Sequence, residues 1–117
     1  SNGIDASNMT IKNVAPGVNN TDAANVGQLR ILEGKVNRVD RNLRAGVAGA
    51  NAAASLPQAY LPGKNMVAVS AGTYRGEGAI ALGVSRVSDN GKVVVKLTGN
   101  SDTRGNFGAG VGAGYQW

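Results

Sequence analysis

The sequence predicts a membrane β-barrel combined with α-helix. The expected assembly is a homotrimeric, twelve-stranded transmembrane barrel with four antiparallel strands per chain, its lumen holding three N-terminal helices that continue into a coiled-coil stalk. Three observations lead there: the parity of the last strand, a helix whose seam turns from large to small residues, and a meander with one apolar face. In the last strand Phe107, Ala109, Val111, Ala113, Tyr115 and Trp117 share one parity, and Gly108, Gly110, Gly112 and Gly114 the other. Side chains alternate along a strand, so one face is apolar with aromatics at both ends and the other is bare. At roughly 3.3 Å per residue and a tilt of about 40°, the segment spans on the order of 25 Å, the height of a lipid-facing barrel band. Phe107 then marks one membrane interface, and Tyr115 and Trp117 the other.

Composition bounds the function. The chain has 117 residues, a formal net charge of +5, and neither cysteine nor histidine. One small domain is expected, with no disulfide framework and without the commonest general base and metal ligand. No catalytic, metal-binding or cofactor-binding set emerges, so an enzyme is not expected. Gly110-Val111-Gly112-Ala113-Gly114 superficially matches a dinucleotide loop, but no helix follows it. The basic residues are dispersed and aromatics are few, which argues against nucleic acid. No run approaches the roughly 18 apolar residues of a membrane-spanning helix, a test to which barrel strands are blind. Without a signal peptide, the chain reads as a fragment excised from a longer protein.

Residues 1–21 are rich in Asn, Gly and Ser, with a β-like run at Met9, Ile11 and Val14 and a turn signal at Ala15-Pro16-Gly17. They read as a neck or connector. A helix is predicted over 22–55, with Thr21 as N-cap and Asp22 in its first turn. Its seam steps by three and four through Leu29, Leu32, Val36, Val39 and Leu43, a stripe of coiled-coil width flanked by charged residues. Beyond Leu43 the seam continues through Gly46, Ala50 and Ala53, and with Gly49 nearly every residue from Ala45 to Ala54 is small. Small residues on every face suit a helix enclosed by close neighbours; an ordinary Ala-rich helix or a flexible tail is the bland alternative, and the bare face of the last strand favours enclosure.

Residues 56–64, punctuated by Pro57 and Pro62, form a linker, and 65–117 a four-stranded segment. The first strand, about 65–75, sets Val67 and Val69 against Ala68, Ser70 and Gly72. The second, about 77–87, sets Ile80, Leu82 and Val84 outward and Ala79, Ala81 and Gly83 inward. Asp89-Asn90-Gly91 is a hairpin signal, because Asn-Gly tolerates positive φ. The third, about 92–100, directs Val93, Val95 and Leu97 one way and Lys92, Lys96 and Thr98 the other. A looser turn at Asp102 precedes the last strand, whose Val111 continues the apolar face.

In a soluble two-layer module the apolar face would pack on the helix, but the helix has no wide apolar stripe to offer. Facing lipid, the sheet has to close, which four strands cannot do alone. Barrels of eight, twelve and sixteen strands have backbone radii of roughly 8, 12 and 16 Å. After about 2.5 Å is subtracted for the lining, two, three and four close-packed helices need lumens of roughly 9, 9.5 and 11 Å. Only three helices in twelve strands fit snugly. The lumen-facing set is then Ala68, Ser70, Gly72, Ala79, Ala81, Gly83 and the four glycines of the last strand.

Asn13-Val14-Ala15 with Gly17, followed by Thr21-Asp22-Ala23-Ala24-Asn25-Val26-Gly27-Gln28-Leu29, resembles the neck of the trimeric autotransporter adhesins, with Ala24 where that pattern has Val. Leu56-Pro57-Gln58-Ala59-Tyr60 with Pro62-Gly63-Lys64 is similar to the helix-to-strand connection of the YadA-like membrane anchor. Gly105-Asn106-Phe107 and Gly114-Tyr115-Gln116-Trp117 are similar to its last strand. The resemblance implies a bacterial outer-membrane homotrimer that exports and displays its own N-terminal adhesive passenger, a form of type V secretion. It also implies an external neck, a periplasmic C-terminus, assembly by the barrel-assembly machinery, and contact with host surfaces only through the missing passenger.

Overall fold

The computed structural model describes residues 2–117; Ser1, with which the predicted connector begins, lies outside the described residues. The elements run α1 (Val26–Ala54), β1 (Asn65–Tyr74), β2 (Glu77–Val87), β3 (Val93–Asp102) and β4 (Phe107–Tyr115). Two compact units result, one ending at Arg38 and the other spanning Val39–Trp117.

In the first unit the helix starts at Val26, four residues later than the predicted boundary, and its cap is Asn25 rather than Thr21. Asn25 Oδ1 accepts the Gln28 N–H at 2.9 Å while Gln28 Oε1 accepts the Asn25 N–H at 3.1 Å, a reciprocal capping box. Gln28 also reaches back to the Gly17 N–H and C=O, and Asn25 Nδ2 donates to the Val14 carbonyl at 2.8 Å. Two amide side chains thereby strap the connector to the first helical turn. A Cβ on Gly17 would stand 2.7 Å from the Ala23 carbonyl oxygen, so the strap needs glycine there. The β-like run at Met9 and Ile11 forms no strand, since this region holds positive φ at Ser7, Asn8 and Asn13 and offers no ladder partner.

The turn expected at Pro16 falls later, where the Asp22 N–H donates to the Asn19 carbonyl at 3.0 Å. Asp22 Oδ2 accepts the N–H groups of Asn19 at 2.9 Å and Val18 at 3.0 Å. These bonds to the ionised form, Asn19 first and Val18 second, hold the carboxyl below the usual carboxylate range. A depressed pKa contributes stability above the unfolded value that is lost as pH falls through the folded one. Carboxyl-carbon NMR is expected to place the Asp22 midpoint below the value of an ordinary exposed aspartate, with the Val18 and Asn19 amide shifts following it. A midpoint at or above that value contradicts the turn geometry.

In the second unit the sheet is an antiparallel meander, β1-β2-β3-β4, with strand limits within a few residues of those predicted. Arg75 and Gly76, both at positive φ, make the tight β1–β2 turn that matches strand twist. Of the Asn-Gly pair only Gly91 takes positive φ, and the Ser88 side chain accepts the Val93 N–H, giving a longer loop than a two-residue hairpin. β4 ends at Tyr115, two residues early, but Gln116 still donates its N–H to the Lys92 carbonyl at 2.7 Å.

The sheet's two faces differ by parity. The core cluster of Ala48, Ala52, Leu56, Ala68, Ala79 and Ala81 lies between the end of the helical segment and the small-residue face of the sheet. Large apolar side chains of the other face, Val67, Val69, Ile80, Leu82, Val84, Val93, Val95, Leu97 and Val111, remain exposed. The soluble alternative placed the helix on the apolar face, and the structure places it on the opposite one. Alanine and glycine let a helix backbone approach closely, whereas a valine-rich face would hold it several ångströms farther away.

Candidate functional site

The helix-side face of β1 and β2 is shaped by what it lacks. A Cβ on Gly72 would stand 2.6 Å from the Ala52 nitrogen and 2.9 Å from the Ala48 oxygen, and one on Gly83 would stand 3.0 Å from Leu56 Cδ1. Ala68, Ala79 and Ala81 are buried beside them, and Ser70 Oγ donates to the Ala52 carbonyl. Six of the ten predicted lumen residues therefore contact or line the helix in a single chain. The other four do not: Gly108 meets the Asn100 side chain, Gly110 meets Thr98 Oγ1, and no atom comes within 4 Å of a Cβ at Gly112 or Gly114. A hollow of about 370 Å³ opens over Gly112 and Gly114, beside Lys96 and Gln58.

On the helix, Ala45, Ala48 and Ala52 each have 0 % of their surface exposed; Ala48 and Ala52 pack in the cluster against the sheet, and a Cβ on Gly49 would stand 2.6 Å from Asn100 Oδ1. Only Gly49 of the predicted small residues is among them. Gly46 has nothing within 4 Å of a Cβ, Ala50 is exposed, and Ala53 is half-buried at the edge of the cluster. At 100° per residue, Gly46, Ala50 and Ala53 continue the stripe of Leu29, Leu32, Val36, Val39 and Leu43, while Ala45, Ala48 and Ala52 lie on roughly the opposite side. The five large seam residues are all more than half exposed. The helix thus has two working stripes, one used within the chain and one open. The second stripe was legible at 45, 48, 52 and 56, which repeat the same three-and-four spacing and end on Leu56.

Polar contacts fix where the helix stops. Lys96 Nζ donates to the Leu56 carbonyl at 3.1 Å, placing a cation at the helix C-terminus, where the peptide dipole favours one. Asn51 Nδ2 donates to the Thr73 carbonyl, and Ser85 Oγ accepts the Ala59 N–H at 2.7 Å, with both Ser85 and Ala59 buried. Ser85→Ala is expected to leave the Ala59 amide unsatisfied and lower unfolding stability by about 1–3 kcal/mol. Denaturant unfolding would detect it, and an unchanged midpoint would remove this contact from the account.

At the opposite end of the sheet, Arg104 reaches Glu77 Oε1 through Nη2 at 2.8 Å and Nε at 3.2 Å, and Thr103 Oγ1 donates to Glu77 Oε2 at 2.6 Å. Glu77 opens β2, so the cluster ties that strand to the β3–β4 turn. Nothing in the sequence pattern had singled it out, because the residues are 26 and 27 positions apart. Phe107 and Trp117 are almost fully exposed, and the Tyr115 and Trp117 rings stack with centroids 6.2 Å apart. Among the described residues no acidic, His or Cys group gathers to hold a metal, and no helix is long and apolar enough to cross a membrane.

Residues 57–117 match the family model of the YadA-like membrane anchor domain, and residues 10–52 match that of the coiled stalk of trimeric autotransporter adhesins. The chain is 50 % identical over 111 residues to autotransporter adhesin NhhA of Neisseria meningitidis serogroup B, covering 92 % of this chain and 19 % of the relative. It is 42 % identical over 122 residues to autotransporter adhesin EhaG of Escherichia coli O157:H7, covering 92 % of this chain and 8 % of that protein. Autotransporter adhesin BtaE of Brucella suis is 28 % identical over 144 residues, with 94 % and 19 % covered. The chain therefore spans less than a fifth of the length of these relatives.

Proposed function

The chain belongs to the trimeric autotransporter adhesins, as their stalk and YadA-like outer-membrane anchor and translocator unit, and from that premise we propose that three copies close a twelve-stranded barrel around three lumenal helices. The observation that carries this is the one-sided burial of the sheet: its small-residue face holds the helix, and its valine- and leucine-rich face is covered by nothing among the described residues. An apolar band of this height fits lipid, and a sheet in lipid has no tolerance for free edges. The open stripe from Leu29 to Ala53 then packs helix on helix at the trimer axis.

In this reading Val67, Val69, Ile80, Leu82, Val84, Val93, Val95, Leu97 and Val111 face lipid. Phe107 lies at the outer interface, and Tyr115 and Trp117 at the periplasmic one. The neck lies outside the cell, and the 56–64 linker and C-terminus face the periplasm. The bare face at Gly108, Gly110, Gly112 and Gly114 leaves the lumen wide enough for a passenger to pass before the helices settle. Barrel-assembly machinery inserts the anchor, adhesion to host surfaces resides in the passenger, and the anchor's own work requires no catalysis.

The test is mass and heat resistance. Light scattering in detergent is expected to give a trimer, and unheated electrophoresis a trimer band that collapses to monomer on boiling. A monomer that stays dispersed without detergent overturns the reading.

A further inference from the structure

Among the described residues β1 and β4 are the outer strands of the sheet, and each has one edge without a ladder partner. Resting on the trimer reading above, we propose that β4 of one copy pairs antiparallel with β1 of the next in one register, Gly110 opposite Gly72.

The internal pairings give the starting point. Ala68 faces Gly83, Gly83 faces Thr98 and Thr98 faces Gly110. Continued straight across a seam, Gly110 would meet the next copy's Ala68. That leaves the strands parallel to the barrel axis, whereas closed barrels tilt by about 35–45°. An odd stagger is excluded, because it would set the bare parity of β4 beside the exposed valines of β1.

Among even staggers, tilt and overlap decide. Each chain contributes four strand spacings, about 19 Å of circumference, against about 3.3 Å of slip per residue. A stagger of two sets Gly110 opposite Ser70 and gives a tilt of about 19°, too upright for a barrel. A stagger of six sets it opposite Tyr74, gives about 46°, and shortens the ladder to residues 69–74 against 110–115. A stagger of four gives about 35° and pairs residues 67–74 with 108–115. Slips in the opposite direction run β1 off the end of β4. The chosen register places Val111 opposite Ala71, Ala113 opposite Val69 and Tyr115 opposite Val67 on the outer face.

The same register accounts for the glycines that the chain's own helix leaves uncovered. α1 lies so close over Gly72 that even a methyl group there would meet its backbone. Across the seam from β1 the register places Gly110, Gly112 and Gly114 of the neighbouring copy, which present no side chain to a helix overhanging the seam.

The chain has no cysteine, so paired substitutions report cleanly. Three variants, Ala71→Cys/Val111→Cys, Val69→Cys/Val111→Cys and Thr73→Cys/Val111→Cys, probe staggers of four, two and six. Within one chain β1 and β4 are three strand spacings apart, about 14 Å, beyond disulfide reach, so every link joins two copies. Oxidation in detergent with copper phenanthroline, followed by boiling without reductant, is expected to yield covalent trimer roughly tenfold faster from the 71/111 pair, because diagonal neighbours lie about 7–8 Å apart. Light scattering on each variant before oxidation separates the two claims. A trimer that links faster through 69/111 or 73/111, or through none of the pairs, overturns the register alone. A species that remains monomeric in detergent overturns the trimer reading and the register with it.

Discussion

Gly72→Leu is expected to reduce the heat-resistant trimer recovered in detergent by roughly tenfold or more. The space a side chain would need at residue 72 is already filled by helix backbone, with the Ala52 nitrogen 2.6 Å, the Ala48 oxygen 2.9 Å and Ala52 Cα 3.1 Å from an ideal Cβ. Rotamer choice cannot relieve a clash that begins at the β-carbon. Either the helix lifts from Ala68, Ala79 and Ala81, or β1 bends away from β2. Overpacking in ordinary cores costs about 1–3 kcal/mol, and here it recurs in every copy. Gly99→Ala is the control, because its Cβ would meet only the Gly108 oxygen at an ordinary 3.8 Å. Unheated electrophoresis of both variants decides: normal trimer from Gly72→Leu would mean that the helix does not seat on β1.

Leu43→Asp carries the second large effect, and it separates the open stripe from ordinary surface. Leu43 and Ile31 are both 64 % exposed in the single chain, so exposure does not distinguish them. Leu43 lies on the stripe shared with Leu29, Leu32, Val36 and Val39, whereas Ile31 lies off it. At a trimer axis the change brings three carboxylates together in place of three leucines, so the loss combines apolar burial with like-charge repulsion. The helical transition followed by circular dichroism is expected to fall by roughly 10 °C or more for Leu43→Asp and by only a few degrees for Ile31→Asp. Equal effects would show that the stripe is not a helix–helix contact.

The helix cap illustrates why local signals can mislead. Thr21 and Asp22 have the residue types of a helix start, and the sequence rule takes the first such pair it meets. Asn25 and Gln28 form the cap because they also satisfy the connector backbone at Val14 and Gly17, a benefit visible only once the chain has folded back on itself. Gly46 and Ala50 show a related limit. In a stretch where every residue is small, composition announces close packing without saying which side packs on what. The buried stripe at Ala45, Ala48 and Ala52 has the same period as the open one, so the spacing shows both stripes and only the packed sheet shows which of them it receives.

What the sequence by itself determined was everything governed by period: four strands with their limits to within a few residues, the alternation of each between two faces, the meander order, and the three-and-four seam of the helix. These follow from the alternation of side chains along a strand and their rotation about a helix, which operate within a few residues. The tertiary structure alone decided which stripe of the helix faces the sheet and which distant polar partners meet. Lys96 reaching Leu56, Ser85 reaching Ala59, and Arg104 and Thr103 reaching Glu77 join residues about 26 to 40 positions apart. Such contacts depend on side-chain volume and strand register summed over the whole sheet, and no local repeat in the chain encodes them.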